Sequence, residues 1–421
     1  MNVIIKPSKL HGDIVIPPSK SLSHRAIIAA CLAEGKSVIS NVLFSNDIKA
    51  TINAMRACGA SIIEHEDSLE IYGSKVKRVN NVIDANESGS TIRFMIPIAL
   101  VDNSPITFVG QNHLVKRPLD TFLEIFDKQG IEYKKEENYL PLYVNGGIKS
   151  GEYNIRGDIS SQFITGLLYA LPMLEGDSVI NITTNLESKG YIDLTLDMLN
   201  KFGIEIINED YKKFIVKGNQ VYKPYDYTIE GDFSQSAFFL LANCFGADIN
   251  LLAMNMSSHQ GDKKIIEDVA QFGAKIEYNK GILKATAPKL NGCVIDFAQS
   301  PDLGPALTVL ASVASDKSEF INAARLRIKE CDRITCMRLE LEKLGAKIEE
   351  NPDGMVIYGV DKLHGGIVDS HNDHRVAMSL AMVSLIINED LKILNAGCVS
   401  KSFPSFWNEF RRLGGIIEYE D

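Results

Sequence analysis

The chain has 421 residues, of which 45% are hydrophobic and 23% charged, with a formal net charge of −10. This length exceeds one ordinary hydrophobic core and predicts two domains. The acidic balance disfavours broad nucleic-acid binding, because the protein as a whole repels polyanions. Neither a membrane span nor a secretory signal is predicted, since the apolar runs are too short. Seven scattered cysteines without a Cys-x-x-Cys pair are typical of reduced thiols, so we expect a cytoplasmic protein.

A phrase of the form apolar-x-x-x-Gly-x-x-apolar recurs along the chain at intervals of about 70 residues. Each time, a helix-like pattern ends and an alternating pattern begins. This predicts a glycine that closes a helix in the left-handed conformation and precedes a strand. The six glycines are Gly59, Gly130, Gly203, Gly273, Gly345 and Gly414.

Each repeat also begins alike, with a short polar phrase before a strongly apolar helical stretch. Ser, Asp and Asn in such phrases are expected N-caps, because their side-chain oxygens accept from the first free helix amides. The apolar stretches predict buried helices. One repeat is therefore predicted as helix–strand–helix–strand–strand. The six phrases begin at Ser19, Ser88, Ser160, Ser234, Pro301 and Asn372.

The last repeat stops one strand short, and the missing strand is predicted at the other end of the chain. Residues 9–15 nearly duplicate residues 362–368, which link the fifth and sixth repeats. We therefore expect the strand at Val3 to Ile5 to pair beside the C-terminal strand.

These repeats predict an α/β (α+β) fold of two similar domains, each with three βαβαββ repeats around buried helices. A cleft and a double-strand hinge are expected between the domains. The N-terminal domain is expected at 14–231, and the C-terminal domain at 1–13 plus 232–421. The hinge is expected near 13–18 and 229–232.

The richest candidate site opens the first repeat, where Ser19-Lys20-Ser21 is followed by Ser23 and Arg25. Free helix amides, a lysine, hydroxyls and an arginine one turn on are suited to a phosphate or carboxylate. Plain helix capping is the alternative for such a phrase taken alone.

Three further groups in the first half share this character. Gly89 would let an anion approach the backbone beside Arg93, and Arg117 lies in a loop. Hydroxyl and amide side chains at 160–162 and at Ser188 suit sugar-like or phosphate oxygens, although capping also explains them.

The second half concentrates charge in residues 325–333, which hold four cations and two acids. A solvated, salt-bridged helix is the alternative to a functional site there. His371 and His374 flank Asp373, but two histidines and one aspartate lack a third firm ligand, so we expect no metal site. Asp302 is predicted to be a lone, unpaired carboxylate at a helix start, which could act as a base.

Seven cations of an acidic protein occur at or near equivalent points of the repeated scaffold. If these points face one cleft, the cleft would bind small substrates carrying several phosphates or carboxylates. They are Lys20, Arg25, Arg117, Lys329, Arg333, Arg375 and Lys401.

Six phrases of the chain, in order, resemble the EPSP synthase family of enolpyruvyl transferases. The likeness spans the chain and agrees with the predicted repeats. The phrases are Pro-Pro-Ser-Lys-Ser-x-Ser-x-Arg at 17–25, Arg-Pro at 117–118, Ser-Ser-Gln-Phe at 160–163, Arg-x-Lys-Glu-x-Asp-Arg at 327–333, Asn-Asp-His-Arg at 372–375 and Lys-Ser-Phe-Pro at 401–404.

The resemblance implies transfer of the enolpyruvyl group of phosphoenolpyruvate to the 5-hydroxyl of shikimate 3-phosphate, in the shikimate pathway to chorismate and the aromatic amino acids. It implies Asp302 as base, Glu330 for proton traffic and Lys20 as an assistant, with no cofactor. The implied ligands of shikimate 3-phosphate are Lys20, Ser21, Arg25, Ser160, Ser161, Ser188, Asp302 and Lys329. Those of phosphoenolpyruvate are Lys20, Gly89, Arg117, Gln162, Arg333, Arg375 and Lys401.

Glyphosate would occupy the phosphoenolpyruvate space in this family, so sensitivity is expected. One departure from the family pattern is Glu87, an acid two residues before Gly89. Two rivals stay open: the sister transferase that uses UDP-N-acetylglucosamine, and a non-catalytic repeat protein that binds polyanions. We expect a monomer that binds no nucleic acid and no membrane.

Overall fold

The computed structural model describes residues 1–420. Its twelve α-helices in this range are α1 (Lys20–Leu32), α2 (Asn46–Ala57), α3 (Gly89–Ala99), α4 (Asp120–Gln129), α5 (Ser161–Ala170), α6 (Lys189–Lys201), α7 (Phe233–Cys244), α8 (Ile265–Gln271), α9 (Gly304–Ser312), α10 (Arg333–Glu342), α11 (His374–Val383) and α12 (Phe406–Arg412). None of the helices within 1–420 is long and apolar enough to cross a membrane.

The strands are short and spread evenly along the chain. They are β1 (Asn2–Lys6), β2 (His11–Val15), β3 (Gly35–Ser40), β4 (Ser61–Glu64), β5 (Ser68–Gly73), β6 (Val82–Asp84), β7 (Ile106–Val109), β8 (Glu132–Lys135), β9 (Leu142–Asn145), β10 (Glu152–Ile155), β11 (Ser178–Ile182), β12 (Ile206–Glu209), β13 (Lys213–Val216), β14 (Tyr227–Thr228), β15 (Asp248–Leu252), β16 (Lys275–Asn279), β17 (Ile282–Thr286), β18 (Val294–Asp296), β19 (Lys317–Ile321), β20 (Lys347–Asn351), β21 (Gly354–Tyr358), β22 (Gly366–Asp369), β23 (Leu391–Leu394) and β24 (Ile416–Glu420).

The strands form six four-stranded sheets with one shared pattern. In the sheet β10-β11-β13-β12, for example, the first two strands are parallel, and the second pairs with an antiparallel hairpin. Each sheet thus combines a parallel strand pair with a hairpin, and in four of them a helix connects the parallel strands, as in a βαβαββ unit. The predicted α/β fold of repeated units is confirmed.

The chain divides into two compact units, each with its own hydrophobic core. The N-terminal unit is Pro18–Ile229. The C-terminal unit is Met1–Pro17 together with residues 230–420. The predicted cleft and hinge stay predictions.

Strands from distant parts of the chain complete the sheets of both units. β1 lies between β23 and β24, with Val3 opposite Tyr419, which confirms the predicted pairing of the N-terminal strand. β2 pairs in parallel with β15 and opens the fourth repeat. β14 pairs in parallel with β3 and so supplies the first repeat from the far end of its own unit, a pairing that no local pattern indicates.

The six repeat glycines all adopt positive φ, as predicted, with values from 67° at Gly130 to 109° at Gly414. Gly59 shows why another residue would be strained there. An added Cβ would lie 2.6 Å from the carbonyl oxygen of Lys77, which donates its own N–H to the nearby Cys58 carbonyl. The left-handed turn therefore lets the chain leave α2 directly into β4.

Polar side chains cap the first helix of four repeats as predicted, including Asp373 at α11. Ser19, Ser88 and Ser160 each accept a hydrogen bond from a backbone N–H in the first turn of α1, α3 and α5.

The prediction for the fourth repeat is wrong: Asp232 caps α7 instead of Ser234, because its carboxylate reaches the Ser234 N–H at 2.8 Å. Every residue of α7 is buried, as its apolar pattern predicts. The prediction for the fifth repeat is wrong, because Leu303 stands at the cap position of α9 and no side chain caps this helix.

Candidate functional site

The predicted site residues form two clusters, one in each unit, and each cluster is built around the first turns of buried helices. In five repeats the second residue after the cap carries a polar side chain of these clusters. The five are Ser21, Ser90, Gln162, Ser234 and Arg375.

In the N-terminal unit, Lys20 opens α1 and pairs with Asp47 at the start of α2. Their Nζ–Oδ2 distance is 2.7 Å, and the two side chains are only 15% and 9% exposed. Asp47 therefore holds the ammonium group of Lys20 in place at the start of α1.

Arg25 lies one turn further along α1 and is buried. Its guanidinium donates to the Thr195 hydroxyl at 2.9 Å and to the carbonyls of Ser21 and Tyr191 at 2.7 and 3.0 Å. Burial lowers the pKa of Arg25 to about 10. At neutral pH it is still a cation, held rigidly against Ser21 by neutral oxygens.

The guanidinium of Arg117 lies against the backbone of Gly89. A Cβ added at Gly89 would lie 2.4 Å from Nη1 of Arg117 and 2.8 Å from its Cζ. Arg117 follows the 3-10 helix Asn112–Lys116 and is buried. The carboxylate of Glu87 accepts from the Asn112 side chain at 2.8 Å, so this unusual acid is tied to the loop that carries Arg117.

Gln162 joins two helix starts of the N-terminal unit. Its Oε1 accepts from Arg93 at 2.8 Å, and its Nε2 donates to the Ser90 hydroxyl at 2.9 Å. Arg93 also lies over the ring of Phe163, 5.0 Å from its centroid. The amide of Gln162 is thereby oriented by its neighbours.

Ser160, Ser161 and Ser188 lie at helix starts, but they differ in position and in capping. Ser160 caps α5, and Ser161 is buried in its first position. Ser188 is buried at the start of α6 with φ of 55°, and its side chain makes no capping hydrogen bond. Side-chain capping, the alternative explanation for Ser188, is therefore wrong.

In the C-terminal unit, Arg333 is the centre of an acidic cluster. It is 1% exposed, and its guanidinium donates to Asp373, Asp302 and Glu330 at 2.7, 2.9 and 2.8 Å. The alternative of a solvated helix at 325–333 is wrong, because α10 begins at Arg333 with this side chain pointing into the protein. The pKa of Arg333 is raised well above its usual range by the three carboxylates, against the opposing effect of burial.

Asp302 is not the lone carboxylate that the sequence suggests. It lies in the 3-10 helix Pro301–Leu303 and pairs with Lys329, Arg333 and Arg375 at 3.2, 2.9 and 3.1 Å. Burial by itself would raise its pKa, but these three cations hold it well below the usual range. The sequence does not reveal these three partners because all of them are distant from Asp302 along the chain.

The pKa of Lys329 is lowered as well, but here burial outweighs the neighbouring carboxylate. Burial lowers the pKa of its ammonium group to about 8, although the Asp302 charge partly offsets this effect. Its side chain is 22% exposed.

Arg375 connects Asp302 to the start of α7. Its Nη2 donates to the Ser234 hydroxyl at 3.1 Å, and Ser234 in turn donates to Asp232 at 2.6 Å. The backbone N–H of Arg375 donates to the carboxylate of Asp373, the cap of α11, at 2.8 Å. Lys401 ends the 3-10 helix Ala396–Lys401 and is buried close to Cys398.

Three residues of these clusters are absent from the predicted catalytic and ligand sets. Asp47 orients Lys20, Arg93 orients Gln162, and Asp373 holds Arg333 while it caps α11. Arg93 and Asp373 lie inside the polar phrases that open their repeats. No local signal distinguishes Asp47, because its partner is 27 residues away.

Comparison with solved structures and known families identifies the class of protein that has this architecture. The EPSP synthase from Acinetobacter baumannii has the same fold, with a TM-score of 0.81, 26% identity and full coverage of both chains. The fold and its cation-lined helix starts thus define an enolpyruvyl-transferase class of protein. The profile of the family described as EPSP synthase (3-phosphoshikimate 1-carboxyvinyltransferase) matches residues 4–410.

Curated relatives agree over nearly the whole chain. A 3-phosphoshikimate 1-carboxyvinyltransferase of Clostridium perfringens is 51% identical over 421 residues, covering 99% of both chains. One of Clostridium novyi is 50% identical, over 99% of this chain and 98% of its own. One of Clostridioides difficile is 50% identical over 98% of each. The chain belongs to the EPSP synthase family, and the enzyme function expected from the sequence is confirmed over the sister transferase.

Proposed function

We propose that the two clusters bind shikimate 3-phosphate and phosphoenolpyruvate and carry out the enolpyruvyl transfer. Both substrates carry multiple negative charges, which fits buried guanidinium and ammonium groups better than any neutral ligand. Preorganised cations cost no reorganisation during the reaction, so they stabilise charge as it develops.

The shikimate 3-phosphate ligands are proposed in both units. Rigid placement of Arg25 by three neutral oxygens leaves its positive charge uncompensated, which suits a phosphate. The proposed set is Lys20, Ser21, Arg25, Ser160, Ser161, Ser188, Asp302 and Lys329.

The phosphoenolpyruvate ligands are proposed around the close approach of Arg117 to Gly89. The absent Cβ leaves room for the guanidinium, whose planar donors match a carboxylate or phosphate. The proposed set is Lys20, Gly89, Arg117, Gln162, Arg333, Arg375 and Lys401, and glyphosate would compete for it.

The single observation that carries the chemistry is Asp302 among three cations. In the proposed reaction, Asp302 takes the proton from the 5-hydroxyl, whose oxygen attacks C2 of phosphoenolpyruvate. Glu330 delivers a proton to C3, giving a tetrahedral intermediate. Removal of a C3 proton and departure of phosphate, assisted by Lys20, then form the enol ether.

The low pKa of Asp302 would make it a weak base while its cationic partners remain. Arginines that turn to an anionic substrate share their charge with it, and this raises the proton affinity of Asp302. Asp302 would therefore become an effective base only when the substrates bind. Positioning and charge supply the rest of the barrier reduction, and we propose that no cofactor takes part.

Phosphate release from phosphoenolpyruvate tests this proposal directly. We expect release with shikimate 3-phosphate and none with UDP-N-acetylglucosamine, and a loss of release in Asp302→Ala. Asp361→Ala is the matched control, because Asp361 is an exposed aspartate of the same unit. Release only with the nucleotide sugar would overturn the proposal, and binding of both substrates without release would favour the non-catalytic rival.

We also propose that the enzyme is a cytoplasmic monomer that binds neither nucleic acid nor membranes. Its net charge of −10 supports this, since it opposes association with polyanions. Light scattering of the purified protein should give the mass of one chain, and a dimer mass would refute this part.

A further inference from the structure

Cys331 and Cys336 flank the cap of α10, next to the Arg333 cluster. Asp332 is the cap and accepts the Thr335 N–H at 3.1 Å. Cys331 is therefore the residue before the cap, and Cys336 is the fourth helical residue. Side chains at these two positions meet across the first turn of a helix. Both thiols are buried there, and each shifts the pKa of the other.

A histidine and a buried carboxylate complete this arrangement. Cys336 and the imidazole of His371 also shift each other's pKa. The Nε2 of His371 lies 2.7 Å from Oε1 of Glu340, which is 2% exposed. Oε2 of Glu340 accepts from Lys343 at 2.6 Å and from the Asp369 N–H at 2.9 Å. This network fixes the imidazole against the Cys336 thiol.

The electrostatics favour a thiolate at Cys336. Its hydrogen bond with Cys331, and then that with His371, lower the pKa of Cys336, while the same thiol pair raises the pKa of Cys331. The hydrogen bond to Cys336, followed by that to Glu340, raises the pKa of His371 to about 9, so the imidazole is a cation at neutral pH. By contrast, burial raises the pKa of Cys293 to about 11.

We propose that Cys331 and Cys336 are a peroxide-sensitive thiol pair that closes to a disulfide and disables the Arg333 cluster. The Cys336 thiolate attacks a peroxide oxygen, giving a sulfenic acid and hydroxide. The Cys331 thiol then attacks that sulfur, forming the S–S bond and releasing water. One peroxide is reduced and two thiols are oxidised.

The disulfide would act on the cluster through Asp373. The Cys331 thiol lies 3.7 Å from Oδ2 of Asp373, the oxygen that also accepts from Nε of Arg333. Cys331 also stands directly after Glu330, the proposed proton carrier. Drawing Cys331 onto α10 would remove that thiol contact and shift Glu330. This effect on activity rests on the proposed function, whereas disulfide formation does not.

Peptide mapping tests the pair in the wild-type enzyme. Trypsin cuts after Lys329, Arg333 and Arg338, so the disulfide would join peptides 330–333 and 334–338. We expect this joined peptide after peroxide treatment and its loss on reduction. Alkylation should reach Cys336 at least about tenfold faster than Cys293 at neutral pH, although Cys293 is the more exposed thiol. Absence of the joined peptide, or faster alkylation of Cys293, would overturn the proposal.

Variants distinguish inactivation by the Cys331–Cys336 disulfide from unspecific oxidation by peroxide. Peroxide should lower kcat/KM of the wild type at least about tenfold, reversibly on reduction, and leave Cys336→Ser unchanged. His371→Gln should slow alkylation of Cys336 but not of Cys293. A joined peptide with full activity would overturn the switch. An inactive reduced enzyme would instead refute the proposed function.

Discussion

The Nη1 atom of Arg117 occupies the place where a side chain on residue 89 would begin, 2.4 Å from an ideal Cβ of Gly89. The glycine is not at positive φ, so space, rather than backbone conformation, is what its missing side chain provides. Arg117 can therefore approach the first turn of α3 closely.

Gly89→Ala should push the Arg117 guanidinium away and weaken phosphoenolpyruvate binding. We expect KM for phosphoenolpyruvate to rise about tenfold, roughly the loss of one charge-assisted hydrogen bond. KM for shikimate 3-phosphate should stay within about twofold, which makes the second substrate the internal control. Steady-state kinetics with each substrate varied would check this. Equal changes in both constants would contradict a local effect on Arg117.

Asp302→Asn should abolish most of the turnover and also destabilise the C-terminal unit. Loss of the base is expected to lower kcat about 10²–10⁴-fold. Loss of the charge leaves Lys329, Arg333 and Arg375 to repel one another, which should cost about 3 kcal/mol. Phosphate release and urea unfolding measure the two effects, with Asp361→Asn as the exposed control. A variant that keeps its turnover would exclude Asp302 as the base.

The pH dependence of kcat/KM should reveal the loss of the proton from Lys329. Because the pKa of Lys329 is about 8, the free enzyme loses this cation as the pH rises through 8, and kcat/KM for shikimate 3-phosphate should fall. Lys329→Arg should lack this alkaline limb, since arginine keeps its charge. Persistence of the same limb in the variant would assign it to another group.

The same pKa predicts the sign of a stability effect. The unfolded state binds a proton at Lys329 up to its ordinary value of 10.5, whereas the folded state releases it near 8. The charged amine therefore costs stability below pH 8. This cost should decline between about pH 8 and 10.5, relative to Lys329→Met, in which the free energy of unfolding lacks this contribution. A difference that does not change with pH would contradict the depressed pKa.

A circular permutant should fold and keep its activity. Asn2 pairs with Glu420 across β1 and β24, so a turn of about two residues can join the ends. New termini can open at Lys280-Gly281, the tip of the hairpin between β16 and β17. Deletion of residues 1–6 is the contrasting variant, because it removes an inner strand of the sheet β22-β23-β1-β24 and should unfold the C-terminal unit. Circular dichroism and phosphate release would show an unfolded permutant if the pairing were wrong.

Features set by neighbouring residues could be predicted from the amino-acid order. A glycine such as Gly345 closes a helix, and a serine such as Ser19 caps one, through contacts within a few residues. The repeated pattern therefore revealed the six units and the missing strand that β1 supplies. The phrases at the helix starts also revealed most of the cations.

The environment of those cations depends on contacts between distant segments. Asp302 meets Arg333 across 31 positions and Arg375 across 73, and Lys20 meets Asp47 across 27. No periodic pattern encodes such pairs, because they arise only when the buried helices pack and bring their first turns together. Local sequence thus specified the repeats and their capping residues, whereas packing decided that Asp302 is ion-paired, that Arg333 is buried and that Arg117 lies on Gly89.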